Sequence, residues 1–167
     1  MGSLDLYLIR HGLAGEHRPD ADDRERPLTD EGKQKTRQVA KRLQTLGLQF
    51  DLVLTSPLVR ARQTADILLD ARLAPDLSTS DHLAPGGDIH VWLDWLQRWR
   101  SLTATALALV GHEPDLSHWS EILLWGQSRG VITLKKAGII GLTLPNENFS
   151  PVGHSSLFWL APPRFLL

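Results

Sequence analysis

Arg10-His11-Gly12 and Gly111-His112-Glu113 each close an apolar run with an imidazole flanked by a glycine and a charged side chain. Arg60 stands just behind a third such run. Guanidinium groups hold phosphate through bidentate hydrogen bonds. An imidazole can attack phosphorus and give a phosphohistidine that water then clears. Gathered together, Arg10, His11, Arg60 and His112 would make a pocket for an anion. With arginines neutralising the oxygens, no metal is needed for charge stabilisation. Metal ligation is the poorer reading, because HxH and HExxH spacings are missing, cysteine is absent, and arginines would repel a cation. His17, His82, His90, His118 and His154 have no comparable company and read as surface or core histidines.

The elements that must position these groups alternate along the chain. Leu6, Tyr7, Leu8 and Ile9 are apolar on both faces, as in a strand buried within a parallel sheet. Gly12 would let the backbone turn and come close to whatever is bound. Residues 13–27 are polar and irregular, with Asp20, Asp22, Asp23, Arg24, Glu25 and Arg26 clustered, and read mostly as a solvated loop near the mouth of the site. Thr29 or Asp30 would cap a helix that buries Val39, Leu43 and Leu46 and stops at Gly47, with lysines and arginines on its solvated face. Residues 50–55 form a second strand, and Pro57 suits the first turn of a helix over 58–69. Arg60 and Arg62 point about 200° apart on that helix, so at most one faces a common site, and Arg60 lies nearer the positive end.

A short strand is expected at Leu77-Ser78-Thr79, then a turn at Pro85-Gly86-Gly87 and a helix capped by Asp88. Trp92, Trp95, Leu96 and Trp99 form its core-packing stripe. Residues 104–110 make another strand, and Pro114 begins a helix that runs to Gly126. Residues 131–134 and 138–144 read as strand or pre-strand segments, and residues 155–160 as a last strand, in the manner of an antiparallel hairpin partner. The pattern implies an α/β three-layer sandwich, its mostly parallel sheet flanked by helices, with antiparallel structure toward the C-terminus. Ligands of such sheets bind beyond the carboxyl ends of the strands, where Arg10, His11, Arg60, His112 and Glu113 all fall.

Global properties exclude several classes. At 167 residues, with 42% hydrophobic and 22% charged residues, the chain suits one soluble globular domain over 1–167. A net charge of −1 gives no nucleic-acid or membrane footprint. No apolar run approaches the roughly 20 residues of a membrane span, and no signal peptide is evident. A cytoplasmic monomer without a cofactor is the expectation.

Four motifs in order carry a resemblance: Arg10-His11-Gly12; Arg26-Pro27-Leu28-Thr29 with Gly32; Ser56-Pro57-x-x-Arg60-Ala61-x-Gln63-Thr64-Ala65; and Gly111-His112-Glu113-Pro114. Together they resemble the histidine phosphatase superfamily, which includes the phosphoglycerate mutases. Length and the turn Leu83-Ala84-Pro85-Gly86-Gly87-Asp88 are most similar to its small bacterial phosphohistidine phosphatase subgroup. The resemblance implies that His11 is the phosphorylated nucleophile, that Arg10 and Arg60 bind phosphoryl oxygens, and that His112 donates a further hydrogen bond. Arg62 falls outside the pattern. Acid phosphatase relatives place an aspartate where Glu113 stands, which makes Glu113 the candidate proton donor. Asp81, His82 and Asp88, or no residue at all, are the alternatives.

The function implied is metal-independent hydrolysis of phosphohistidine on a signalling or phosphotransfer protein. A general phosphomonoesterase acting on small molecules or phosphoserine/threonine, and a non-catalytic phosphate-binding module, are the competing expectations.

Overall fold

A computed structural model describes residues 2–167. Its centre is one six-stranded sheet in the order β3-β2-β4-β1-β5-β6. In chain order the strands are β1 (Leu4–Arg10), β2 (Leu52–Thr55), β3 (Leu77–Thr79), β4 (Ala106–Gly111), β5 (Ile139–Leu144) and β6 (Ser156–Ala161). The helices are α1 (Asp30–Thr45), α2 (Val59–Asp70), α3 (Ile89–Trp99) and α4 (Asp115–Trp125). β1, β2, β3 and β4 pair in parallel, while β5 and β6 run antiparallel, as the alternation of elements implies.

Side chains alternate across the pleat, so each central strand feeds two cores. Ile9, Val53, Ala108 and Val110 pack with Val39 and Leu43 of α1 and Ala61, Ala65 and Leu68 of α2. Leu6, Leu8, Leu54, Leu107 and Leu109 pack on the opposite face with Trp92 and Leu96 of α3 and Leu116, Trp119 and Leu123 of α4. This is the three-layer sandwich, and its two cores fix the height of every strand end. Trp92 and Trp119 meet with ring centroids 5.4 Å apart. Trp95 and Trp99 are half-buried and stack on each other at 5.5 Å, so the tryptophan stripe is core only at its inner edge.

Helix starts follow local chemistry. Thr29 caps α1 by accepting from the Gly32 amide, and Asp88 caps α3 by accepting from the His90 amide. Several expectations shift. Leu46 sits at the C-cap of α1 and is 51% exposed, because the helix has already ended beside Gly47 with its positive φ. Pro57 precedes α2 rather than forming its first turn, and Leu58 is the cap. Phe50 and Asp51 lie outside β2; the Asp51 carboxylate instead accepts from the amides of Thr105 and Ala106, starting β4 two residues late.

The largest difference is at residues 131–134, which are not a strand. Their amides are engaged elsewhere: Val131 and Ile132 donate to one oxygen of the fully buried Glu121, while Arg129 and Gly130 donate to the other. A carboxylate inside the fold has replaced a strand partner. Among the described residues, no helix is long and apolar enough to cross a membrane.

Candidate active site

The register aligns the three parallel strand ends. Arg10 pairs with Gly111, and Thr55 with Val110, so His11, Ser56 and His112 emerge side by side at one rim. The His11 amide donates to the Gly111 carbonyl at 3.1 Å, and the Ser56 amide to the Val110 carbonyl at 2.9 Å. His11, Ser56, Arg60 and His112 are all buried.

His11 is held in one tautomer. Its Nδ1 lies 2.7 Å from the Gly12 carbonyl, which can only accept, so Nδ1 carries the proton and Nε2 keeps its lone pair. Burial is the main cause that pushes its pKa down to about 3; His112, Arg60 and Arg10 add to it, and the Gly12 bond only partly opposes it. His112 is likewise lowered to about 4, first by burial and then by Arg60. Both rings are therefore neutral at neutral pH, with centroids 5.2 Å apart. His112 Nε2 meets Ser56 Oγ at 2.7 Å.

The arginines approach from two sides. Arg60, in the first turn of α2, is only 4% exposed, whereas Arg62 is exposed and pairs with Asp66, as helical phase requires. Arg60 Nη1 donates to the Asp23 carbonyl at 2.8 Å and Nη2 to the Asp23 carboxylate at 3.1 Å. Arg10 Nη1 donates to the Leu134 carbonyl at 3.0 Å. Burial lowers the pKa of both arginines, but a guanidinium keeps its charge in proteins.

Among the described residues, four buried side-chain nitrogens have no partner: Arg10 Nε, Arg60 Nε, His112 Nδ1 and Trp92 Nε1. Three of these four belong to this site. Buried polar atoms are otherwise hydrogen-bonded almost without exception. A concentration of orphaned nitrogens beside two cations is a place suited to an acceptor-rich anion. Among the described residues, no group of three or more His, Asp or Glu side chains is placed to hold a metal ion.

Glu113 adjoins this rim with its oxygens engaged. It accepts from the Ser117 amide at 2.9 Å, from the Ser117 hydroxyl, and from the Leu134 amide at 3.2 Å. The same Leu134 peptide binds Arg10 through its carbonyl. Of the other candidate proton donors, Asp88 is occupied as the α3 cap. His82 is half-buried beside Gly87, whose added Cβ would lie 1.7 Å from the His82 carbonyl. Asp81 lines a cavity of about 440 Å³ with Asp23, Arg24 and Leu58.

Four contributors were not singled out from sequence. Asp23 ties Arg60, Arg26 and the exposed His17 together through one carboxylate, which these partners hold below the ordinary range. Its only signal was membership of an acidic loop near the site. Ser56, Leu134 and Thr64 are the others. Thr64 Oγ1 accepts from the Gly12 amide and donates to the Arg60 carbonyl, joining the β1 rim to α2. Ser56 and Thr64 lay within a quoted motif; Leu134 acts through its backbone and carries no sequence signal. Gly12 also has a reason within the fold: a Cβ there would lie 2.4 Å from Thr36 Oγ1, so the backbone comes close to α1.

The fold and rim define a class: an α/β protein with two neutral imidazoles at its parallel strand ends and two guanidiniums close beside them. The sequence profile of the histidine phosphatase superfamily (branch 1) matches residues 6–84. An uncharacterized protein of Picosynechococcus is 46% identical, the alignment covering 98% of this chain and 99% of that one. Phosphohistidine phosphatase SixA of Escherichia coli is 26% identical over 96% of this chain and 94% of its own. A structure of the protein histidine phosphatase SixA complexed with tungstate superposes with a TM-score of 0.83 over 98% of this chain and 100% of that one, at 26% identity. A phosphoserine phosphatase mutant from Entamoeba histolytica shares the fold at a TM-score of 0.70 and 17% identity, covering 98% and 100%. The chain belongs to the histidine phosphatase superfamily, and its likeness to SixA supports phosphatase activity.

Proposed function

We propose that this protein removes phosphoryl groups from phosphohistidine on a protein, through a phosphohistidine intermediate on His11. The observation that carries the reading is the neutral, singly oriented His11 lying close to His112, Arg60 and Arg10, each of which keeps a buried nitrogen without a partner. Supporting it are the overall similarity to SixA and the tungstate, a tetrahedral oxyanion, in that relative's structure.

The roles follow from the contacts. His11 Nε2 donates its lone pair to phosphorus while the bond from phosphorus to the leaving nitrogen breaks. That nitrogen keeps the bonding pair, and one proton taken up from solvent makes the departing ring a neutral imidazole. Nδ1 keeps its proton and goes on donating it to the Gly12 carbonyl, so the phosphorylated ring keeps its orientation. Water then attacks phosphorus, the bond to Nε2 breaks, and His11 returns to its starting form with release of inorganic phosphate. Arg10 and Arg60 bind the equatorial oxygens. With Ser56 donating its hydroxyl proton to His112 Nε2, His112 Nδ1–H is free to donate to an oxygen.

Glu113 acts in this scheme as a positioning residue. Its three hydrogen bonds fix Ser117 and Leu134, and through Leu134 it sets Arg10. A site without a dedicated acid favours an imidazole leaving group over an alkoxide, which needs a proton more urgently. The test is hydrolysis in excess EDTA of a phosphohistidine-bearing phosphotransfer domain against a small aryl phosphate, for wild type, Glu113→Gln and His11→Ala. A large preference for the phosphodomain, lost in His11→Ala and largely kept in Glu113→Gln, is the expected result. Preference for the aryl ester, abolished by Glu113→Gln, would favour the general phosphomonoesterase.

A further inference from the structure

Arg10 is shared with a groove of about 630 Å³ whose other walls come from residues 133–136 and the C-terminal tail. Its walls bring Lys135, Lys136 and Arg164 to apolar Leu160, Pro162 and Pro163. The three cations are exposed and none makes an ion pair within 4.0 Å; each of the five ion pairs among the described residues lies elsewhere. Arg164 rests instead over the Phe165 ring, 4.9 Å from its centroid. No acidic residue lines the groove. In a chain whose net charge is −1, this gathers four cations, Arg10 included, on one side of the site. The cavity beside Arg60 is mixed in sign instead, with Asp23, Asp81 and Arg24 all in its walls.

We infer that this groove docks an acidic segment of the phosphoprotein substrate, lying to one side of its phosphorylated residue. The inference rests on the phosphoprotein reading above. Charge complementarity selects the occupant, since unpaired lysines and an arginine attract carboxylates and steer association. The apolar floor of Leu160 and the two prolines gives such a segment a surface on which to bury aliphatic stems. Because the groove opens at Arg10, an occupant would be held with its neighbouring phosphoryl group at His11.

The experiment compares wild type with Lys135→Glu/Lys136→Glu/Arg164→Glu and with the corresponding triple alanine variant. Substrates are an acidic phosphotransfer domain phosphorylated on histidine and a small aryl phosphate, at low and raised salt. The expected result is a KM for the phosphodomain about tenfold higher in the glutamate variant, with a smaller rise in the alanine variant. Its kcat should be unchanged, and aryl phosphate hydrolysis should match wild type in both variants. Raised salt should move the wild-type KM for the phosphodomain in the same direction. An unchanged KM in variants that melt like wild type, beside a wild type that dephosphorylates the domain, would overturn the groove and leave the function standing. An equal KM rise for the aryl phosphate would also overturn it, placing the cations in the phosphate pocket itself. A wild type inactive on the phosphodomain but active on the aryl ester would remove the phosphoprotein reading, and the groove inference with it.

Discussion

Two buried polar centres in this fold are built in opposite ways. Glu121 is fully buried, and its carboxylate accepts from the amides of Arg129, Gly130, Val131 and Ile132 and from the Ser128 hydroxyl. Burial alone would raise its pKa; the surrounding amides more than offset that and hold it at about 2. The His11 rim is nearly as buried, yet Arg10, Arg60 and His112 each keep a nitrogen without a partner. A satisfied buried charge organises structure, while an unsatisfied cluster waits for a ligand. The comparison teaches where stability and chemistry separate, and each half can be broken alone.

The largest effect belongs to the rim. His11→Ala should lower phosphohistidine hydrolysis by at least about 10³-fold, because no other group replaces the nucleophile. Its melting temperature should stay at or above that of wild type, since a desolvated imidazole is removed. Activity assays beside calorimetry check both halves.

Glu121→Ala should do the reverse. Removing the acceptor that four loop amides share costs about 2–4 kcal/mol, and the loss should appear as a fall in melting temperature. The fraction that remains folded should still be phosphorylated on His11.

Acid should separate the two centres. The histidines bind protons less readily when folded, with values of about 3 and 4 against an ordinary 6.5. The unfolded chain therefore takes up protons first as pH falls below 6.5, and stability drops between there and about 4. Glu121 stabilises the fold above its unfolded value near 4.5 and loses that contribution toward 2. Denaturant melts against pH should thus flatten in the upper window for His11→Ala and in the lower one for Glu121→Gln.

The smallest effect tests the Asp23 carboxylate beside Arg60. Asp23→Asn keeps the backbone bond to Nη1 but removes the negative charge 3.1 Å from Nη2, so inhibition by inorganic phosphate should tighten by several-fold, about 1 kcal/mol. Titration of product inhibition measures it.

The same contrast explains what was legible in the sequence. Strand-to-helix alternation and the strand-end motifs placed Arg10, His11, Arg60 and His112, because strands that feed two cores leave unbroken apolar runs and helices a periodic stripe. The phase of α2 separated Arg60 from Arg62 for the same reason. The segment over residues 127–137 left no such trace. It is shaped by two carboxylates, Glu113 and Glu121, that bind backbone amides, and an amide has no letter in the sequence. Its apolar letters imitated a strand, and its grip on Arg10 through the Leu134 carbonyl stayed hidden. Asp23 was hidden likewise, one acid among several in a loop, distinguished only by reaching Arg60.

The most direct measurement traps the phosphoenzyme. Wild type mixed with a phosphohistidine protein in excess EDTA, quenched without acid and read by intact mass and ³¹P NMR, should carry one phosphoryl group on Nε2 of His11. His11→Ala should carry none and should be inactive. Hydrolysis retained by His11→Ala, or turnover by wild type with the label on a residue other than His11, would contradict the account.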